Sequence, residues 1–194
     1  MQTFEPSRTY TDYEPYLAAA TTARQRRMLT LVQAHARAEV ERDLDGLMAT
    51  LVPDPSYRFW IMGKDLGPKG YDAVRTYYAD YVAGGGAVLE STIERLVVDD
   101  SVVVQEGYIR NLLPAAMARR RGYPVPEHVA HVLVRFRSLV LWPFDDGDDD
   151  SCLLIGEDSY APLDLEAWEP VADADLPGYY LDYLAEIGLH VGAR

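Results

Sequence analysis

The stretch Gly70-Tyr71-Asp72-Ala73-Val74-Arg75-Thr76-Tyr77-Tyr78 begins on a residue free to make a tight turn and continues with apolar side chains at Tyr71, Val74, Tyr78 and Tyr81, the spacing of one helical face. Gly84-Gly85-Gly86 closes this helix. Before it lies a longer pattern. From Arg24 to Leu51 the apolar positions Leu29, Val32, Ala36, Val40, Leu44, Leu47 and Leu51 alternate steps of three and four, which predicts one long helix stopped by Pro53 and Pro55. Between the two helices, Tyr57-Arg58-Phe59-Trp60-Ile61 is aromatic and β-favouring and predicts a short strand. After the glycine triplet the period changes to that of extended chain, with strands predicted at Val88–Val98, Val102–Leu113, Val129–Trp142 and Cys152–Tyr160. Asp99-Asp100 and Asp145-Asp146-Gly147 sit where hairpin turns are needed, pairing the first strand with the second and the third with the fourth.

The flanks are less regular. Residues 1–23 carry Tyr10, Tyr13 and Tyr16 without a sustained period and read as an arm lying across the domain surface. Pro177 leads into Tyr180, Tyr183, Leu184 and Ile187, a short amphipathic helix. The chain therefore divides into an N-terminal arm at 1–23, a main domain at 24–162 and a C-terminal extension at 163–194. At 194 residues and 48% hydrophobic, one buried core is the expectation.

The net charge of -13 repels phosphate backbones and anionic membrane surfaces, so neither nucleic acid nor a membrane is an expected partner. No apolar run reaches the roughly 20 residues a spanning helix requires. The single cysteine, Cys152, forms no internal disulfide, and Met1–Arg8 lacks the basic-then-apolar pattern of a secretory leader, which together point to the cytoplasm.

Asp43-Leu44-Asp45-Gly46-Leu47-Met48-Ala49, the Gly70–Tyr78 segment, and Ile93-Glu94-Arg95-Leu96-Val97-Val98-Asp99-Asp100-Ser101-Val102-Val103-Val104 resemble the helix end, second helix and first long hairpin of the SnoaL-like and nuclear transport factor 2-like superfamily. The resemblance covers about residues 25 to 160. It implies an α+β cone: a curved mixed or antiparallel sheet wrapped around a long N-terminal helix, a pocket at the open end, and frequently a homodimer through the outer sheet face. The superfamily includes ketosteroid isomerases, polyketide cyclases, dehydratases and members without known chemistry, so fold alone names no reaction.

Steroid-isomerase chemistry needs a carboxylate base on the short first strand and two donors at the developing oxyanion. Aligned by the motifs, these positions fall at Ile61 with neighbours Trp60 and Met62, at Val140, and at His35, leaving two of three roles unfilled. That activity is rejected. Cyclases of the SnoaL type carry an acid late in the final strand, where this chain has Gly156-Glu157-Asp158-Ser159-Tyr160. Strand alternation puts Asp158 and Tyr160 on one face and Glu157 on the other, and Asp158 is taken as the catalytic acid/base. The structural alternative is a rim position, solvated or paired with an arginine.

His35 is the second catalytic candidate, with Glu39 one turn on to orient its ring; a structural histidine is the alternative. Tyr57, Trp60, Tyr108 and Tyr160 are candidate ligand-binding aromatics, or core residues. Arg135 and Arg137 share one strand face, either outward against acidic partners or inward toward an anionic ligand. Arg119-Arg120-Arg121 reads as a solvated cap or as a carboxylate-binding rim. His128 with His131, and the aspartates at 145–150, lack metal-ligand spacing, so neither a metal nor another cofactor is expected. The resulting expectation is a small-molecule pocket with cofactor-independent acid/base chemistry of cyclase, isomerase or dehydratase type on an apolar, aromatic or polyketide-like compound. The alternative class is a non-catalytic ligand-binding or assembly module.

Overall fold

Thr22 caps the long helix by accepting a hydrogen bond from the Gln25 amide, and α3 then runs Ala23–Glu41 after two short arm helices, α1 (Arg8–Thr11) and α2 (Glu14–Ala19). The computed structural model describes residues 4–61, 63–161 and 164–189; Met62 and the boundary drawn between residues 162 and 163 lie outside them. The single helix expected from Arg24 to Leu51 is broken. Arg42 takes a left-handed conformation (φ 60°), and Asp43 starts a separate α4 (Leu44–Met48) by accepting from the Gly46 amide at 2.9 Å. The apolar steps continue through the break because both pieces bury the same side, which is why periodicity alone does not see it.

The sheet is built from β1 (Arg58–Ile61), β2 (Lys64–Asp65), β3 (Leu89–Val98), β4 (Val102–Pro114), β5 (His131–Pro143), β6 (Asp158–Tyr160) and β7 (Trp168–Val171). Its order is β2-β1-β6-β5-β4-β3, with β7 pairing the first part of β5. Among the described strands, β1 and β6 are the one parallel pair. Helix α5 (Tyr71–Ala83) and α3 lie in the concave side, α6 (Ala115–Arg120) follows β4, and α7 (Gly178–Glu186) closes the chain. This is the curved, unclosed α+β cone the sequence predicts.

Two features bend the sheet. The β3–β4 register slips between Ile93 and Arg95, a bulge, and Gly107 lies opposite it. A Cβ on Gly107 would come 1.8 Å from the Thr92 carbonyl oxygen, so the two strands approach more closely than any side chain permits.

Three expectations need correction. The predicted Cys152–Tyr160 strand is regular only over β6, because Leu154 is shared between two neighbours, bridging both Leu51 and Phe144. The arm does not merely cross the surface: Thr9 and Tyr13 are buried, and the Tyr13 hydroxyl donates to Gln105. The C-terminal extension contributes β7 as well as α7, whose Tyr180, Tyr183 and Leu184 cover Leu112 and Leu133. Arg42 fastens α7 through Glu186 at 2.8 Å.

Candidate active site

Strand parity fixes which side chains enter the cone. On β4, Val103, Gln105, Gly107 and Ile109 face inward; on β5 the inward set is Phe136, Val140 and Trp142. With Tyr77, Tyr78 and Tyr81 from α5, Phe59 and Ile61 from β1, and Tyr13 from the arm, the side chains of Gln105, Ile109, Phe136, Val140 and Trp142 line a cavity of about 420 Å³. That is within the range of small-molecule sites.

Two carboxyl groups line this aromatic chamber. Glu39 comes from the inward face of α3, and Glu157 enters from the residue preceding β6. Both are ringed by protein yet half-buried rather than fully sealed, as expected of groups bordering a cavity. Burial pushes the Glu157 carboxyl up to about 8, with the nearby Glu39 and Asp158 charges adding to the rise and a hydrogen bond from Ser159 opposing it. Burial raises Glu39 to about 7 against a hydrogen bond from Tyr81. The two therefore sit in the pH range where a group can both accept and return a proton. Gly86 helps to place Tyr81, since a Cβ there would stand 2.1 Å from the Tyr81 ring.

The predicted pair Asp158 and His35 does not converge on the cavity. Alternation in the final strand is as expected, but the cone side is the other one: Glu157 and Ser159 face in, while Asp158 and Tyr160 face out. Asp158 meets Arg58 at 3.0 Å across the parallel pair. His35 is fully buried behind the cavity wall, with Nδ1 2.7 Å from Thr50 Oγ1 and Nε2 3.0 Å from the Tyr78 hydroxyl. Thr50 donates its own proton to the Leu47 carbonyl, so His35 donates from Nδ1 and accepts at Nε2. Burial lowers its pKa to about 3 and keeps the ring neutral.

The aromatic candidates separate similarly. Tyr57 is wholly buried beneath the cavity wall, against Phe59 and Tyr78. Trp60 stands at the rim and stacks on Tyr160, with ring centroids 6.3 Å apart. Tyr108 lies on the outer face under Arg135, whose guanidinium carbon is 4.0 Å from the ring centroid. Arg137 is also outward, paired with Glu106 at 2.6 Å and Glu94 at 3.3 Å. These strands border a larger outer groove of about 790 Å³, but it is open to solvent and mixes Arg110, Arg135 and Arg137 with Glu90, Asp164 and Glu166. The aromatic lining and the raised carboxyl pKa values both favour the inner cavity. His131 is tied to Tyr180 at 3.1 Å, and Arg24 donates to the Asp145 and Gly147 carbonyls at 2.7 and 2.6 Å, occupying the inside of the acidic hairpin.

From the sequence, Glu39 has only an orienting role and Glu157 lies on the face opposite Asp158; in the structure both carboxyls line the cavity. The available signal was Glu39 itself, an acid adjoining the apolar stripe of Ala36 and Val40.

No family model matches the sequence, and no curated protein matches it. Solved structures do. The chain is similar to a protein from Shewanella putrefaciens CN-32 described as a SnoaL-like polyketide cyclase, at 13% identity and TM-score 0.57 over 83% of this chain and 90% of that one. A protein of the same description from Jannaschia sp. CCS1 gives 15% identity and TM-score 0.55 over 73% and 90%. A nuclear transport factor 2-like protein from Anabaena variabilis gives 11% and 0.50 over 80% and 93%. At these identities the likeness concerns architecture. The chain shares the cone fold of these SnoaL-like and nuclear transport factor 2-like structures, with an aromatic cavity lined by Glu39 and Glu157.

Proposed function

We propose that the protein binds a largely apolar or aromatic small molecule in this cavity and moves a proton on it, with Glu157 and Glu39 as the acid/base pair. The observation that carries the reading is two carboxyls raised to about 8 and about 7 on the wall of one aromatic cavity. At neutral pH Glu157 is mostly protonated and donates, while Glu39 is divided between its two forms and accepts. Removal of a proton beside a carbonyl and its return at another atom is isomerase, cyclase or dehydratase chemistry, and it requires no cofactor. The descriptions of the Shewanella and Jannaschia neighbours put ring closure of a polyketide-like compound among the reactions to assay. In this reading Asp158 holds the rim strands through Arg58, and His35 holds Tyr78, which lines the cavity.

The test is hydrogen–deuterium exchange at the α-carbon of 2-tetralone, a bicyclic aromatic ketone, in D₂O. General acid–base groups contribute roughly 10²- to 10⁴-fold, so wild type should accelerate exchange over buffer and Glu157→Gln should lose at least about 10²-fold of that acceleration. Binding of 2-tetralone without accelerated exchange would favour a ligand carrier.

We further propose a homodimer through the outer sheet face. Val97, Val104 and Leu141 form one cross-strand apolar row, and Leu139, Tyr160 and Trp60 form the next; Val97 is 57% exposed and Tyr160 42%. Sedimentation of the purified chain tests it. The single free thiol, Cys152, is buried, in keeping with the cytoplasmic setting we assign.

A further inference from the structure

Among the described residues lining the cavity, Arg121 is the single cation. It follows α6 and is exposed at the mouth, yet its guanidinium is fixed. One terminal nitrogen donates to Asn111 Oδ1 at 2.9 Å and the other to the Gly84 carbonyl at 3.1 Å. Asn111 is itself buried, and its amide donates to the Gly86 and Val88 carbonyls at 3.0 and 2.7 Å, which turns its oxygen toward Arg121. Both partners of Arg121 are neutral oxygens, and two of its five N–H groups are spent on them. The preceding Arg119 has Glu127 at 3.5 Å, and Arg58, Arg75, Arg95 and Arg137 likewise face carboxylates. In a chain with 31 acidic and 18 basic side chains, none of the acidic groups among the described residues pairs with Arg121. Burial raises the Tyr77 and Tyr81 hydroxyls and the Arg121 charge partly opposes that rise, so its field reaches the cavity wall.

We propose that the ligand of this cavity is a monocarboxylic acid, its apolar or aromatic body inside and its carboxylate forked on Arg121 at the mouth. This rests on the small-molecule reading of the cavity above. A fixed planar guanidinium matches one carboxylate through parallel N–H bonds. A phosphate dianion or a diacid would bring a second negative charge toward Glu39 and Glu157 with no further cation to meet it. Anchoring at Arg121 turns the far end of the body inward, so the reacting atoms lie remote from the ligand's carboxylate. Arg121 is thus a specificity-determining residue.

The test compares 2-naphthoate with 2-naphthamide, matched in shape and differing in charge, by titration calorimetry on the full chain at pH 7. Wild type should bind the acid at least about tenfold more tightly than the amide. Arg121→Gln should remove that preference while leaving amide affinity within about twofold, and Arg121→Lys should keep part of it. Melting curves of both variants establish that they are folded. Ile109→Trp, which fills the cavity, should abolish binding of both compounds. Equal binding of acid and amide by wild type, or a preference that survives in Arg121→Gln, overturns the carboxylate proposal while the cavity reading stands. Failure of both compounds to bind, or binding undiminished in Ile109→Trp, overturns the cavity reading and this proposal with it.

Discussion

Replacing Glu157 by Gln should make the protein more stable at high pH, by an amount that grows with pH. The unfolded chain releases this proton near 4.5, whereas the fold holds it up to about 8. Between those values the folded state binds more protons than the unfolded state, so the Glu157 contribution to stability is most favourable below pH 4.5 and is lost as pH rises toward 8. At about 1.4 kcal/mol per pH unit, that interval sets an upper limit of ~5 kcal/mol. The carboxyl borders a cavity that water can enter, so we expect about 2 kcal/mol, a rise of roughly 4–8 °C in Tm for a chain this size. The assay is urea unfolding of wild type and Glu157→Gln at several values from pH 5 to pH 9. Taking the difference between the two proteins cancels His35, whose depressed pKa costs stability as pH falls below 6.5 toward about 3. A difference that stays constant from pH 5 to pH 9 would refute the raised Glu157 pKa and with it the acid/base pair.

Three more predictions follow from the same geometry. Asp158→Asn should leave the 2-tetralone exchange rate within about twofold of wild type and cost no more than about 1 kcal/mol, since it breaks only a partly exposed pair with Arg58; a large loss of exchange would return the acid/base role to Asp158. His35→Leu takes one hydrogen bond from each of the buried Thr50 and Tyr78 hydroxyls, which keep Leu47 and Tyr57 as partners, and should destabilise by about 1–3 kcal/mol in urea unfolding; an unchanged midpoint would show that the hydrogen-bonded chain contributes nothing. Gly86→Ala pushes the Tyr81 ring from its place and removes its hydrogen bond to Glu39, so the Glu39 pKa should rise above about 7 in a carbon-13 titration of the glutamate carboxyls; a lower pKa would contradict the assigned Tyr81 contact.

The sequence by itself determined the element types, because periodicity is local: Val74, Tyr78 and Tyr81 on one helical face, and the long alternation of Val102–Leu113. The glycine and aspartate turns, and the motif likeness, then carried the cone architecture. Alternation in the final strand was legible too, with Asp158 and Tyr160 together and Glu157 opposite. Which of those faces is the inside was not, since period two defines two faces and labels neither. Packing decided it: Gly156 lies so close to the Ser56 carbonyl that a Cβ there would stand 2.3 Å from the oxygen, and the register Arg58↔Asp158 carries Asp158 outward and leaves Glu157 in the cone. His35 illustrates the same limit, for a helix stripe shows that a residue is buried but not whether a cavity or a neighbour's hydroxyl meets it. The pairing of Glu39 with Glu157, 118 positions apart in sequence, and the fixing of Arg121 by Asn111 exist only once strands and helices close on one space. The raised carboxyl pKa values arise from that enclosure, and composition does not encode it.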